Sequence, residues 1–170
     1  MRVHYAKKIN YQNKKNLTFL LRTPRIILKP LNVTMMAESY RKNLSVSEET
    51  ALEMSKLTKG YPFAFQVLGY MTWENEGDYE KSIASYRQQL EDFVYDKIWA
   101  ELSEKDRVIV AAIAKSNTEK VSEIRDILGI SNNEFNPYKK RLIKKGLIGE
   151  EYGYAKFTLP MFKEYVLSMI

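Results

Sequence analysis

The chain has 170 residues, a formal net charge of +6 and a pI near 9.3, with no cysteine and a single histidine, His4. No cysteine means no disulfide, no thiolate chemistry and no cysteine zinc site, and one histidine argues against a catalytic triad or a histidine metal centre. The longest uncharged run, residues 60–73, falls short of the roughly 20 residues that cross a bilayer, and the polar, basic start lacks the apolar stretch of a signal peptide; the expectation is a soluble, cytoplasmic protein with no membrane partner.

Residues 1–16 are rich in Lys, Asn and Gln and show little periodicity. Residues 17–21 form a short apolar run, and Arg25-Ile26-Ile27-Leu28-Lys29, between Pro24 and Pro30, suits a short edge strand. Residues 1–31 carry eight basic side chains (Arg2, Lys7, Lys8, Lys14, Lys15, Arg22, Arg25 and Lys29) and no acid. Of the 27 basic residues only 19 remain for residues 32–170, against all 21 acids, a net of −2. The positive surplus therefore belongs to the start of the chain, and the +6 is no argument that the whole protein binds nucleic acid.

Beyond residue 31 the chain reads mainly as helices. Asn32 or Thr34 can cap a first helix reaching to about Asn43. Ser45 with Glu48 reads as a capping box for a second, with Ala51, Leu52, Met54 and Leu57 near helical spacing. Gly60 supplies its stop, and Pro62 suits the first position of a third helix. That helix is apolar nearly all round, which predicts a place inside a core. Asp78 can cap a long helix to about Ala100, with Ile83, Tyr86, Leu90, Phe93, Val94 and Ile98 on one side.

Ser103 with Asp106 predicts another capped helix. A short amphipathic helix then turns Val121, Ile124, Ile127 and Leu128 inward. For the next helix, Pro137 would break a backbone bond if Ser131 were the cap, at about 3 kcal/mol. With Asn136 as cap, Pro137 becomes the first helical residue and costs nothing, so this start is expected. A hairpin comes next: Leu147-Ile148 outward, a turn at Glu151-Tyr152-Gly153, and residues 154–159 back with period-two alternation. A final amphipathic segment holds Met161, Phe162, Tyr165, Val166 and Met169.

Helix, short helix, tight turn, helix and hairpin are the order of a winged helix-turn-helix, whose third helix fits a major groove. Here that helix carries Asn136, Lys139, Lys140, Arg141, Lys144 and Lys145, the candidate contacts to double-stranded DNA. Lysines mostly hold phosphates rather than read bases. The hairpin is acidic at Glu150 and Glu151, so a protein partner is an equally serious reading.

Four stretches carry a family resemblance. Leu20-Leu21-Arg22-Thr23-Pro24-Arg25-Ile26-Ile27-Leu28-Lys29-Pro30-Leu31 resembles the end of an AAA+/STAND-type P-loop ATPase core, archaeal or bacterial and initiator-like, where an arginine-bearing helix leads into a final strand and a Pro-Leu pair. Thr58-Lys59-Gly60-Tyr61-Pro62-Phe63-Ala64-Phe65-Gln66-Val67-Leu68-Gly69 is similar to the glycine-x-proline turn of that family's helical lid. The last two, Leu102-Ser103-Glu104-Lys105-Asp106-Arg107 and Leu142-Ile143-Lys144-Lys145-Gly146-Leu147-Ile148, resemble the winged helix that follows the family's helical lid. The resemblance implies a mainly α fold: a basic remnant of the core over 1–31, a lid over 32–77, a connecting helix over 78–101 and a winged helix with a small β-hairpin wing over 102–170. It implies nucleotide contact at Arg22, Gly60 and Pro62. The phosphate-sensing arginine of some relatives falls on Phe63 and is absent.

A P-loop ATPase needs Gly-x-x-x-x-Gly-Lys-Ser/Thr and an acidic strand end for magnesium. Neither occurs, and no glycine precedes Gly60. The expectation is a regulatory C-terminal part without catalytic residues, metal or cofactor of its own. ATP and Mg belong to the parent protein, and the missing ATPase core is the implied partner. A free-standing winged-helix transcriptional regulator and a protein-interaction module are the alternatives.

Overall fold

The computed structural model describes residues 29–170. Arg22, the edge strand of residues 25–29 except Lys29 itself, and most of the basic opening lie outside the described residues. The described residues are mainly helical, and no helix among them is long and apolar enough to cross a membrane.

Four helices make the first half: α1 (Val33–Leu44), α2 (Glu48–Leu57), α3 (Pro62–Glu74) and α4 (Tyr79–Leu90). Asn32 caps α1 by accepting from the Met35 N–H, as the sequence suggests. The cap of α2 is Ser47, which accepts from the Thr50 N–H; the expected cap, Ser45, instead ends α1 in a left-handed conformation. Both serines have a polar residue three positions on, and the tight α1–α2 turn selects between them. Gly60 (φ +74°) follows α2, Pro62 opens α3, and Asp78 caps α4, all as expected. α1 packs chiefly on α2, and α3 on α4, around Tyr40, Met54, Leu68, Tyr86 and Leu90.

The expected long helix from α4 onward contains a π-helical turn, Glu91–Tyr95, before α5 (Asp96–Glu101). A π turn holds one residue more than an α turn, so it rotates everything beyond it. The result is that Tyr95 is buried and Phe93, expected inside, stands 55% exposed.

The second half comprises α6 (Glu104–Lys115), α7 (Val121–Leu128), α8 (Asn132–Lys144) and α9 (Phe162–Ser168). Ser103 caps α6. In α7, Ile124 is buried but Ile127 is exposed, against the sequence expectation. The α8 start is also corrected. Ser131 is its cap, in a full capping box with Glu134, and Pro137 sits inside the helix. The reciprocal capping bonds and the burial of Phe135, two residues before Pro137, outweigh the single backbone bond that the proline removes.

The expected hairpin is not built as strands: among the described residues no strand forms. Residues 147–158 do fold back on themselves, with one isolated antiparallel bridge, Ile148 to Phe157, and bonds from the Gly149 N–H to the Lys156 carbonyl (2.9 Å) and from the Thr158 N–H to the Leu147 carbonyl (3.1 Å). A second bridge ties Tyr154 to Lys120, ahead of α7. The returning chain is shared between two partners, so neither pairing extends into a ladder. Ala155, Phe157 and Leu159 nevertheless point inward in the predicted alternation.

Glu123 organises the turn between α6 and α7. Its carboxylate accepts from the Ser116 hydroxyl (2.8 Å), the N–H groups of Asn117 (2.8 Å) and Thr118 (2.9 Å), and the Thr118 hydroxyl. These donors, the Thr118 hydroxyl first, lower its pKa from 4.5 to about 2. A carboxylate with a depressed folded-state pKa contributes stability above its unfolded value, and that contribution fades as pH falls from 4.5 towards 2. In urea unfolding at a series of pH values, Glu123→Gln should be less stable than the parent at pH 6, and the gap should close across that window. A gap independent of pH would refute the assignment.

Candidate functional site

Two of the sequence-predicted sites are visible. The first is the turn at Gly60. The Leu31 N–H donates to the Gly60 carbonyl at 2.9 Å, which docks the Pro30-Leu31 pair directly on the turn. A Cβ placed on Gly60 would come within 2.8 Å of the Leu31 carbonyl oxygen and of the Pro30 Cβ, and its φ of +74° disfavours any side chain. The glycine is therefore required by both conformation and close approach. Tyr61 is buried beneath the turn and Pro62 starts α3 beside it. Two motifs about 30 residues apart in sequence thus form one small platform, and Arg22, the third predicted nucleotide contact, lies outside the described residues.

Lys59, at the same turn, reaches across the molecule: its Nζ donates to the Phe157 carbonyl at 3.1 Å. It helps wall an open cleft of about 580 Å³ between the two halves, lined by Lys56, Lys163, Glu53, Glu119 and Glu164 among others. Among the described residues no group of three or more acids or histidines is placed to hold a metal ion.

The second site is the basic face of α8, and the structure divides its residues. Arg141 is committed to Asp106, with Nε at 2.8 Å and Nη2 at 2.5 Å from Oδ1, and lies over the Tyr138 ring at 4.9 Å. Lys145 points the same way, 4.0 Å from Asp106 Oδ2 and 3.5 Å from the Glu101 carbonyl. Lys139 donates to the Glu151 carbonyl at 3.1 Å, and partial burial lowers its pKa against the opposing pull of Glu151. Asn136 is half-buried. Lys140 and Lys144 remain: both are exposed and neither has an ion pair among the described residues. They lie four apart, and with Asn133 and Pro137 they form one stripe along α8.

Asp106 is the functional residue that sequence reading misplaces. Its position three after Ser103 marks it as a capping residue, but its side chain is only 3% exposed and its work is to hold Arg141, 35 residues away. Nothing local signals that pairing. The acidic return loop is also less repellent to anions than it reads, because Lys156 pairs with Glu151 at 2.9 Å. Tyr152 at its tip is 97% exposed.

The family described as "Domain of unknown function (DUF8462)" matches residues 92–166. No curated protein matches the chain. Among solved structures, the chain is similar to the Walker-type ATPase of Pyrococcus abyssi, with a TM-score of 0.64 and 20% sequence identity. The match covers 79% of this chain and 41% of that ATPase, so the chain spans less than half the length of its structural relative. The mainly helical arrangement of α1 to α9 is thus one found within part of a Walker-type ATPase.

Proposed function

We propose that the chain is the lid and winged-helix part of an AAA+/STAND-type ATPase, a regulatory piece that docks DNA or protein and does not hydrolyse ATP alone. The observation that carries this reading is the platform at Gly60, where the Pro-Leu pair and the glycine-x-proline turn meet through the Leu31–Gly60 bond. These are the two segments that the resemblance places at the seam between ATPase core and lid. The order α6, α7, α8 followed by the folded-back residues 147–158 supports a winged helix whose wing is reduced to isolated bridges. On this reading residues 32–77 are the lid, 78–101 connect, and 102–170 form the docking domain. ATP and Mg enter with the core, and Arg22, Gly60 and Pro62 face the nucleotide.

The docking surface is the Lys140–Lys144 stripe, since the other basic residues of α8 are engaged internally. Each lysine–phosphate contact releases condensed counterion, so two contacts contribute a slope of about −2 to log K against log salt. For the purified chain, ATP turnover should stay at background. Lys140→Glu combined with Lys144→Glu should lower duplex affinity and flatten the salt slope by about 2. Unchanged duplex affinity would remove DNA and leave a protein as the ligand. Turnover that disappears in Arg22→Ala would overturn the reading of a non-catalytic part.

A further inference from the structure

The two halves of the chain share little helix packing. Among the described residues no helix of α1–α4 packs broadly on a helix of α6–α9. The chain crosses from one half to the other through the π turn and α5. Tyr95 donates to the Pro160 carbonyl and Tyr165 donates to Asp96, so this connector is fastened to the second half. Bending is therefore concentrated where α4 gives way to the π turn, beside Leu90. A π turn interrupts regular α bonding, and such interruptions are where helices kink.

The walls of the cleft between the halves are junctions rather than helix faces. Lys59 follows α2, Glu119 precedes α7 and Met161 precedes α9, and all three line the cleft with φ between +50° and +58°. Few residues with a side chain adopt this conformation. Ending α2 takes one left-handed residue, and Gly60 supplies it at φ +74°. Lys59 is left-handed as well, and its side chain spans the gap to donate from Nζ to the Phe157 carbonyl at 3.1 Å, 98 residues away. Phe157 is itself well fastened within the second half. Its ring packs edge-on to Phe162, the Lys156 carbonyl before it accepts from the Gly149 N–H, and the Thr158 N–H after it donates to the Leu147 carbonyl. The Leu147 N–H in turn donates to the Leu142 carbonyl of α8 at 3.0 Å. A short path of bonds thus leads from the Gly60 turn, through Lys59, to the helix that carries Lys140 and Lys144.

We propose that Lys59 is a latch. Its bond to Phe157 fixes the angle between the halves, so that the Gly60 turn and the Lys140–Lys144 stripe keep one relative placement. Release of the bond lets the second half swing about the junction of α4 and the π turn, and the cleft widens. The regulatory meaning of the latch rests on the function proposed above, because its residue adjoins the turn given there to the nucleotide: a backbone shift at Gly60 displaces Lys59 and frees the docking half. The latch itself belongs to this chain and needs neither ATP nor DNA.

The absence of cysteine makes the test direct. Glu49→Cys on α2 and Ser122→Cys on α7, both exposed, place one spin label on each half of the full chain. Pulsed dipolar spectroscopy should give one narrow distance distribution for this parent. Lys59→Met keeps the length of the side chain but not its donor. It should shift the ratio of closed to open forms about tenfold, as expected for losing a bond to a charged donor, and add a second, longer population with unchanged far-ultraviolet circular dichroism. Lys59→Arg restores a donor and should return the narrow distribution; failure to do so would count against the latch. Lys59→Gly removes the donor and the left-handed strain together, and should behave as Lys59→Met does. A narrow distribution in Lys59→Gly would assign the effect to backbone strain and overturn the proposal, as would an unchanged distribution in Lys59→Met. These distances are read without nucleotide or duplex, whereas ATP turnover by the chain bears on the proposed function alone, so the two failures are distinguishable.

Discussion

Phe162→Ala is expected to destabilise the chain by about 3–5 kcal/mol, the usual cost of emptying a buried aromatic site. Phe162 is fully buried at the start of α9. Its ring meets Tyr95 edge-on at 5.0 Å and Phe157 edge-on at 5.2 Å, and stacks with Tyr165 at 5.9 Å. These partners come from the π turn, the returning segment and α9, so one side chain joins three parts of the chain. Tyr95 donates to the Pro160 carbonyl, and Tyr165 to Asp96 at 2.8 Å, which fixes the rings around it. The surrounding elements are held by these bonds and cannot collapse to fill the space. Urea unfolding followed by circular dichroism measures the loss; a decrease below about 1 kcal/mol would mean that the cluster does not join these elements.

Arg141→Ala is expected to cost about 2–4 kcal/mol, and for a different reason. Breaking a buried pair by removing one partner leaves an uncompensated charge, typically about 3–5 kcal/mol. The Asp106 side chain is 3% exposed, but that of Arg141 is 44% exposed, so water reaches the pair and the figure is discounted. Lys145, at 4.0 Å, offers only weak replacement. Asp106→Asn in the same chain should recover most of the loss, because the neutral amide has no charge to strand. A double-mutant cycle reads this coupling, and additive losses would contradict it. The consequence for function is practical: reduced DNA affinity in an Arg141 variant would report unfolding of the α6–α8 contact. Lys140 and Lys144 are the positions where binding can be tested without disturbing the fold.

Much of the helical framework is legible in the sequence. The starts of α1, α3, α4 and α6 follow from Asn32, Pro62, Asp78 and Ser103, each a local signal acting within one turn. Where two local signals compete, sequence alone chooses badly. Ser45 and Ser47 both resemble caps, and Asn136 is the better cap on local grounds because Pro137 inside a helix costs a backbone bond. A turn between α1 and α2 decides the one case, and a capping box plus the burial of Phe135 the other. The π turn has no sequence signal either. Its effect, exchanging Tyr95 for Phe93 in the core, depends on what α9 presents to that side.

Composition and order by themselves determined that the chain is mainly helical, that its positive surplus lies in residues 1–31, and that it carries no P-loop. These are properties of residue type and short-range spacing, which the chain shows before it folds. The tertiary structure decided which charges are available and which faces are covered. Arg141, Lys145 and Lys139 look similar in kind to Lys140 and Lys144, yet contacts with Asp106, Glu101 and Glu151 engage the first three within the chain. α3 looks apolar on every side, yet only one side meets other helices. Helical periodicity states how residues group into faces; only the packing of distant segments states which face meets protein and which meets solvent.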